Sequence, residues 1–392
     1  MNTIDSKNQR LPCLDVRGNV YFITGASRGI GKAIALYLAE KGARVVVAAK
    51  TVEETDEKLP GTIHATVKEI EASGGQALAV QLDVRNEQQI KDAIAKTIET
   101  FARLDGVINN AGALYLSDLE STRMKDHDLM HALNTRAVDL IVQEALPWLK
   151  LSDNPRILNI SPPIDLDPGW FVFAYTRSKY AMSMATMGYA EQLRPYGIAV
   201  NSLWPETAID TSAVRNKLGG DGTVALSRKP EFVAQAAYLV LTQAKEITGR
   251  FFIDSHVVED SGLEDLSSFR VDASKPLLLD FFIGKPPKTK EESLSRVVWP
   301  DENGALPSDY PLMPSPAILA SEPGQYAVVK VLREIDSYDG LIELSKSIAQ
   351  RHDIQSPLTQ IAKLANAGTA EKVHAFLISV TACPCVRNTL KL

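Results

Sequence analysis

Cysteine is nearly missing from this chain: among 392 residues only Cys13, Cys383 and Cys385 occur. The last two stand too close together to bridge without strain, which excludes a disulfide framework and points to a reducing compartment. Long apolar runs are missing too. Nowhere do about 18 apolar residues follow one another, so no membrane-spanning helix is expected. There is no basic excess either, since 42 Lys and Arg stand against 48 Asp and Glu, and the net charge of -6 leaves no footprint for nucleic acid. Met1 to Arg17 is polar, with no apolar run ahead of a cleavage site, so an unsecreted, soluble, cytoplasmic protein is expected. The terminal Leu390-Lys-Leu392 shares its last two residues with the peroxisomal S-K-L address, which makes peroxisomes the alternative.

What is present is an alternation of apolar runs and helical spacing. Val20-Tyr-Phe-Ile23 reads as a buried strand, after which Ile30, Ala33, Ile34, Tyr37 and Leu38 recur at helical intervals until Gly42. Further strands are expected at Arg44 to Ala49, Ala77 to Leu82, Gly106 to Asn109, Arg156 to Ile160, Ile198 to Leu203 and Phe251 to Asp254. Helical stretches fall between them, with apolar markers at Ile63, Val67 and Ile70, then at Ile90, Ala93, Ile94, Ile98 and Phe101, then near 126–150, 174–193 and 230–244. About seven strands joined by helical crossovers predict an α/β fold, a Rossmann-type doubly wound parallel sheet with helices on both faces.

The pattern changes after Gly284. Lys285-Pro-Pro-Lys-Thr-Lys290 is a charged breaker, and prolines 300, 307, 311, 314, 316 and 323 prevent long regular elements. The chain therefore divides into a Rossmann domain at 16–284, a Pro-rich linker at 285–325 and a small helical extension at 326–392 in which no chemistry is visible.

Thr24-Gly-Ala-Ser-Arg-Gly-Ile-Gly31 lies between the first strand and the first helix, where a dinucleotide pyrophosphate meets a helix N-terminus. Glycines there let the backbone approach phosphate. A tight turn needs glycine for steric reasons as well, but here the strand before and the amphipathic helix after are both legible. About 20 positions on, where a carboxylate would bind the ribose hydroxyls of NAD, the chain has Ala48-Ala-Lys50. Lys50 and Arg28 are placed to face a 2'-phosphate, so NADP is the expected cofactor, although both are also ordinary candidates for solvated cations.

The spacing G-x-x-x-G-x-G, followed in order by Asn109-Asn-Ala-Gly112, Asn134 and Tyr175-Thr-Arg-Ser-Lys179, resembles the short-chain dehydrogenase/reductase family. Ala48-Ala-Lys50-Thr, Leu158-Asn-Ile-Ser-Pro-Pro163, Trp204-Pro-Glu-Thr-Ala208 and Phe281-Phe282 are similar to a hydroxysteroid dehydrogenase-like branch of it, over about 16–284, with no sterol-carrier domain recognisable afterwards. The resemblance implies an oxidoreductase acting on CH-OH groups, with Tyr175 as general acid and base, Lys179 beside it, Asn134 holding a water and Ser161 orienting the substrate. Cofactor contacts are implied for Gly25, Ser27, Arg28, Gly29, Ile30, Gly31, Lys50, Asp83, Val84, Asn110, Ala111, Gly112, Tyr175, Lys179 and Thr207. No metal is implied.

Residue chemistry supports part of this. Tyr175 and Lys179 stand at i, i+4 and project from one helix face. Bringing a phenol from about 10 to near neutrality takes only about 3 to 4 kcal/mol from an adjacent cation and the nicotinamide. For Asp83 the resemblance implies that it accepts from the adenine amino group, while its position before Glu87 also suits a helix cap. Ser161 lies 14 residues before Tyr175, one residue off the family's usual interval, which falls on Pro162. Glu206 stands where the family has glycine, which puts the turn carrying Thr207 in question. Substrate contacts are expected from 164–173, made apolar by Trp170, Phe171 and Phe173, and from about 208–226. A small lipid-like or terpenoid alcohol or carbonyl fits such a loop, which equally suits a packed surface, and the family implies a homo-oligomer. The rival from another class is an NADP-binding redox sensor or scaffold with little turnover.

Overall fold

The computed structural model describes residues 14–284 except 55 and 264, so the linker, the C-terminal extension and all three cysteines lie outside the described residues. Seven strands form one sheet: β1 (Val20–Thr24), β2 (Arg44–Ala49), β3 (Gln76–Gln81), β4 (Gly106–Asn109), β5 (Arg156–Ile160), β6 (Ala199–Trp204) and β7 (Phe251–Ile253). Their order is β3-β2-β1-β4-β5-β6-β7, and every pairing is parallel. The doubly wound sheet expected from sequence is therefore present. β3 and β6 are each displaced by one residue from expectation, because Leu82 and Ile198 are as apolar as the strands they adjoin.

The five strands β1, β2, β4, β5 and β6 are buried on both faces, which is why they read largely as apolar runs rather than alternations, while the edge strands β3 and β7 are more exposed. Within them the side chains still alternate. Tyr21, Ile23, Val45 and Val47 pack on one face with Ile34, Leu38, Phe232 and Val233. Val20, Phe22, Val46 and Ala48 pack on the other with Ile90, Ile94, Ile141 and Ala145. Those partners belong to α1 (Gly29–Glu40), α3 (Glu87–Phe101), α5 (Ala137–Leu149) and α9 (Pro230–Leu241); α2 (Ile63–Ala72) covers the β2–β3 edge.

The helix expected near 126–150 is one continuous run with an interruption. α4 (Met124–His131) passes into α5 through a wide π-helical turn at Ala132–Arg136. α6 (Phe173–Gln192) follows β5, and the short α7 (Ser212–Lys217) and α8 (Asp221–Ala225) follow β6. After β7 and α10 (Asp254–Asp260), the chain returns as a strap at 278–283 across the carboxyl ends of the strands.

The order of strands reverses between β1 and β4, so the crevice at the carboxyl ends of those two strands is the expected place for a ligand.

Candidate active site

The glycine turn and the end of β4 are built as one unit. Thr24 Oγ1 accepts from the amides of Asn110 and Ala111, both at 3.0 Å, and Asn110 Nδ2 donates to the carbonyls of Thr24 at 2.9 Å and Gly25 at 3.2 Å. Gly25 and Gly29 adopt φ of 67° and 55°, a left-handed conformation that favours glycine. Gly31 is required for another reason: a Cβ there would stand 2.4 Å from Asn110 Nδ2 and 2.6 Å from the Gly25 carbonyl. Arg28 at the start of α1 supplies no side-chain cap and the first turn holds no acid, so the first amides of the helix are left for a ligand or solvent to satisfy. These features fit a dinucleotide phosphate. Gly31→Ala is expected to weaken dinucleotide binding about tenfold or more, because overpacking of this order costs about 1 to 3 kcal/mol. Titration calorimetry checks it, and unchanged affinity in a folded variant would overturn the cradle.

At the end of β2, Lys50 is exposed. Arg28 reaches the same place: its Nη2 donates to Thr51 Oγ1 at 3.1 Å and to the Gly61 carbonyl at 2.9 Å, and its Nε to the Pro60 carbonyl at 3.0 Å. Both cations expected there stand there, with Arg28 anchored. Asp83 is not the cap of α3. That role belongs to Asn86, whose Oδ1 accepts from Gln89 N at 3.1 Å, while the Asp83 carboxylate is held by Arg85 Nε at 2.9 Å and sits below the usual carboxylate range for that reason. The side chains of Ser27 and Val84 are buried.

Tyr175 and Lys179 lie in the first turns of α6, nearly buried at 6% and 7% exposure. Lys179 Nζ donates to the Ile160 carbonyl at 2.9 Å and stands 5.2 Å from the centroid of the Trp204 ring. Burial lowers its pKa to about 8, and the nearby charge of Asp280 works against that fall. Asn134 sits in the π-helical turn, fully buried. Its Oδ1 accepts from Ala113 N at 2.9 Å, and its Nδ2 donates to the Ala113 carbonyl at 3.0 Å and to Ser178 Oγ at 2.9 Å. A Cβ at Gly112 would meet Asn134 Oδ1 at 2.8 Å and Lys179 Nζ at 3.8 Å, so the three positions adjoin.

Tyr175, Lys179, Asn110, Gly112 and Ile30 share one cleft of about 200 Å³. Three other expected residues stand elsewhere. Ser161 is fully buried, its Oγ 2.7 Å from Ser202 Oγ. Thr207 is buried with its hydroxyl 3.3 Å from the Ala208 carbonyl, and it is Thr211 that lines the cleft, its methyl 3.3 Å from a Cβ built on Gly29. Trp170 is 1% exposed, its Nε1 donating to Asp165 at 2.9 Å, whereas Phe171 is 52% exposed. The aromatic loop thus packs or faces outward, and the apolar lining comes from Leu114 and from Ile209, Val214 and Leu218, which lie within the second stretch expected, about 208–226.

Asp280 and Phe281 also line the cleft, although the sequence had singled out Phe281 only as part of a resemblance and Asp280 not at all. They arrive through the strap, a pairing remote in sequence. Thr211 lies within the expected stretch 208–226, and its own local signal is a Thr-Ser-Ala-Val helix start in which its Oγ1 accepts from Val214 N at 3.4 Å.

The chain is similar to proteins already known. The family model for short chain dehydrogenases matches residues 19–219. Hydroxysteroid dehydrogenase-like protein 2 of Xenopus laevis is 46% identical over 290 residues, which is 74% of this chain and 67% of that protein. A dehydrogenase of Xanthomonas campestris superposes with a TM-score of 0.66 at 43% identity, over 69% of this chain and all of that one. A short chain dehydrogenase of Mycobacterium thermoresistibile gives 0.65 at 43%, over 70% of this chain and 98% of that one. The matched segment and the parallel sheet it folds into place this chain in the short-chain dehydrogenase/reductase family, oxidoreductases that work with a nicotinamide cofactor.

Proposed function

We propose that the protein is an NADP-dependent oxidoreductase that interconverts a hydroxyl and a carbonyl on a small apolar or lipid-like substrate. The observation that carries this reading is the joint placement of Tyr175 and Lys179, nearly buried, in the cleft that also holds Asn110 and Gly112 of the glycine-turn unit. A bound nicotinamide supplies or accepts the hydride. In the reductive direction the Tyr175 hydroxyl donates a proton to the substrate oxygen; in the oxidative direction it takes one back. Lys179 stabilises the phenolate so formed, and Asn134, adjoining Lys179, orders the route by which the proton is replaced. The Ser161–Ser202 pair leaves the Ser161 hydroxyl outside this scheme. Leu114, Ile209, Val214 and Leu218 favour an apolar substrate.

The preference for NADP rests on Lys50 and the anchored Arg28, with no competing carboxylate at Ala48 or Ala49. A charge-assisted contact to the 2'-phosphate is worth about 1.5 to 3 kcal/mol, so Lys50→Ala is expected to lower the NADPH-over-NADH preference in kcat/KM by about 10-fold to 150-fold. NADPH oxidation with a panel of medium-chain carbonyls tests the activity. Tight NADPH binding without turnover of any carbonyl would instead support the sensor or scaffold reading, for which the altered turn at Glu206 speaks. Self-association would cover the exposed Met184 and Met187 of α6 and is read by light scattering. The scarcity of cysteine supports a cytoplasmic setting.

A further inference from the structure

The strap is held in register by main-chain and side-chain bonds along its length. Leu278 N donates to the Leu226 carbonyl at 2.9 Å, Ala208 N to the Leu278 carbonyl at 2.8 Å, Asp280 N to the Glu206 carbonyl at 2.9 Å, and Trp204 Nε1 to the Phe281 carbonyl at 2.7 Å. Phe282 adopts φ of 67°, unfavourable for a bulky residue. Packing offsets that cost: its ring lies 5.1 Å from Tyr180, 5.8 Å from Trp170, 5.9 Å from Trp204 and 6.2 Å from Tyr175. The strain is therefore accepted to fix the strap against Tyr175 from outside.

The residue so fixed is Asp280. Its Oδ1 accepts from Phe281 N at 2.6 Å, which sets the carboxylate's orientation at the cleft wall. Among the described residues that line the cleft, Lys179 and Asp280 are the only formally charged ones. Every other element packed on Lys179 presents a group without formal charge: the Ile160 carbonyl from β5, the Trp204 ring from β6, Asn134 from the π-helical turn, Gly112 after β4, and the phenol of Tyr175 on its own helix. A buried ammonium with one carboxylate in its enclosure depends on that carboxylate for its charge.

We propose that Asp280, delivered by the strap, is a positioning residue that keeps Lys179 an ammonium at neutral pH. It acts through Lys179 and need not touch the substrate. Its effect on turnover rests on the reading above, but its effect on Lys179 does not.

The test is competitive labelling of the full-length chain with acetic anhydride across pH 6 to 10, with the acetylation of Lys179 followed by mass spectrometry of its peptide. In Asp280→Asn the midpoint of Lys179 reactivity is expected to fall by about one pH unit or more, whereas Asp280→Glu, which keeps the charge, holds it near the wild-type value. Circular dichroism melting confirms that each variant is folded. An Asp280→Asn chain whose Lys179 midpoint matches wild type overturns the proposal even if the enzyme reduces carbonyls. A fallen midpoint in a chain that reduces none upholds it while removing the oxidoreductase reading.

Discussion

Tyr175→Phe is expected to lower kcat for carbonyl reduction by about 10² to 10⁴ while leaving NADPH affinity nearly unchanged. The ring of Tyr175 packs 5.9 Å from Phe281 and 6.2 Å from Phe282, and phenylalanine preserves both contacts. Only the hydroxyl is lost, and with it the proton donor proposed for the chemistry beside Lys179. Nothing in the glycine turn, at Lys50 or at Arg28 depends on that oxygen, so binding and chemistry separate. Single-turnover kinetics with saturating NADPH, set beside a fluorescence titration of the cofactor, reads the two effects independently. A variant that keeps more than a tenth of wild-type kcat would remove Tyr175 from proton transfer.

Asp254 is expected to impose a pH dependence on folding. It opens α10 with its side chain fully buried, and its Oδ1 accepts from Glu206 N at 2.8 Å and Ser255 N at 2.7 Å. Burial pushes its carboxyl from 3.8 up to about 7, against the pull of those amides and of Arg228, which is itself paired with Glu206 at 2.9 Å. Because the folded chain holds this proton more tightly than the unfolded one, the contribution is full below about pH 4 and is lost as pH rises toward 7. The span corresponds to an effect on the order of 4 kcal/mol. Urea unfolding of wild type and Asp254→Asn from pH 4.5 to 7.5 checks the sign: the wild-type stability should decline relative to the variant as pH rises. Parallel curves would show that Asp254 does not titrate in this window.

The fold was legible because the sheet is parallel and covered on both faces, so Val20–Ile23 and Val45–Ala49 read as uninterrupted apolar runs. The glycine turn was legible because its signal is local: a strand, three glycines and an amphipathic helix in sequence. What stayed hidden was set by distant partners. Trp170 suits a substrate-facing loop and a packed one equally, until Asp165 takes its indole N–H and Phe282, more than a hundred residues away, packs against its ring. Thr207 and Thr211 carry the same chemistry four positions apart, and the bridge that ties Thr207 to Leu279 in the strap is a long-range pairing that no local pattern reveals. Asp83 and Asn86 are both good caps, and Arg85 settles the matter by claiming Asp83. Asp280 had no motif to announce it, because the pairing that brings it to Lys179 joins the far end of the domain to the loop after β6.

The wide turn at Ala132–Arg136 bears on how this segment tolerates change in length. A π-helical turn accommodates one residue more than a regular helix, so everything before it is rotated by about 100° relative to everything after. Losing one residue there would leave a straighter, locally more regular helix from Met124 to Leu149. Yet it would swing Asn134 away from Ala113 and Ser178, and Thr135 away from the Ser178 carbonyl. For this stretch, a gain in helical regularity is a loss of the cleft, and substitutions should be borne more readily than single-residue deletions.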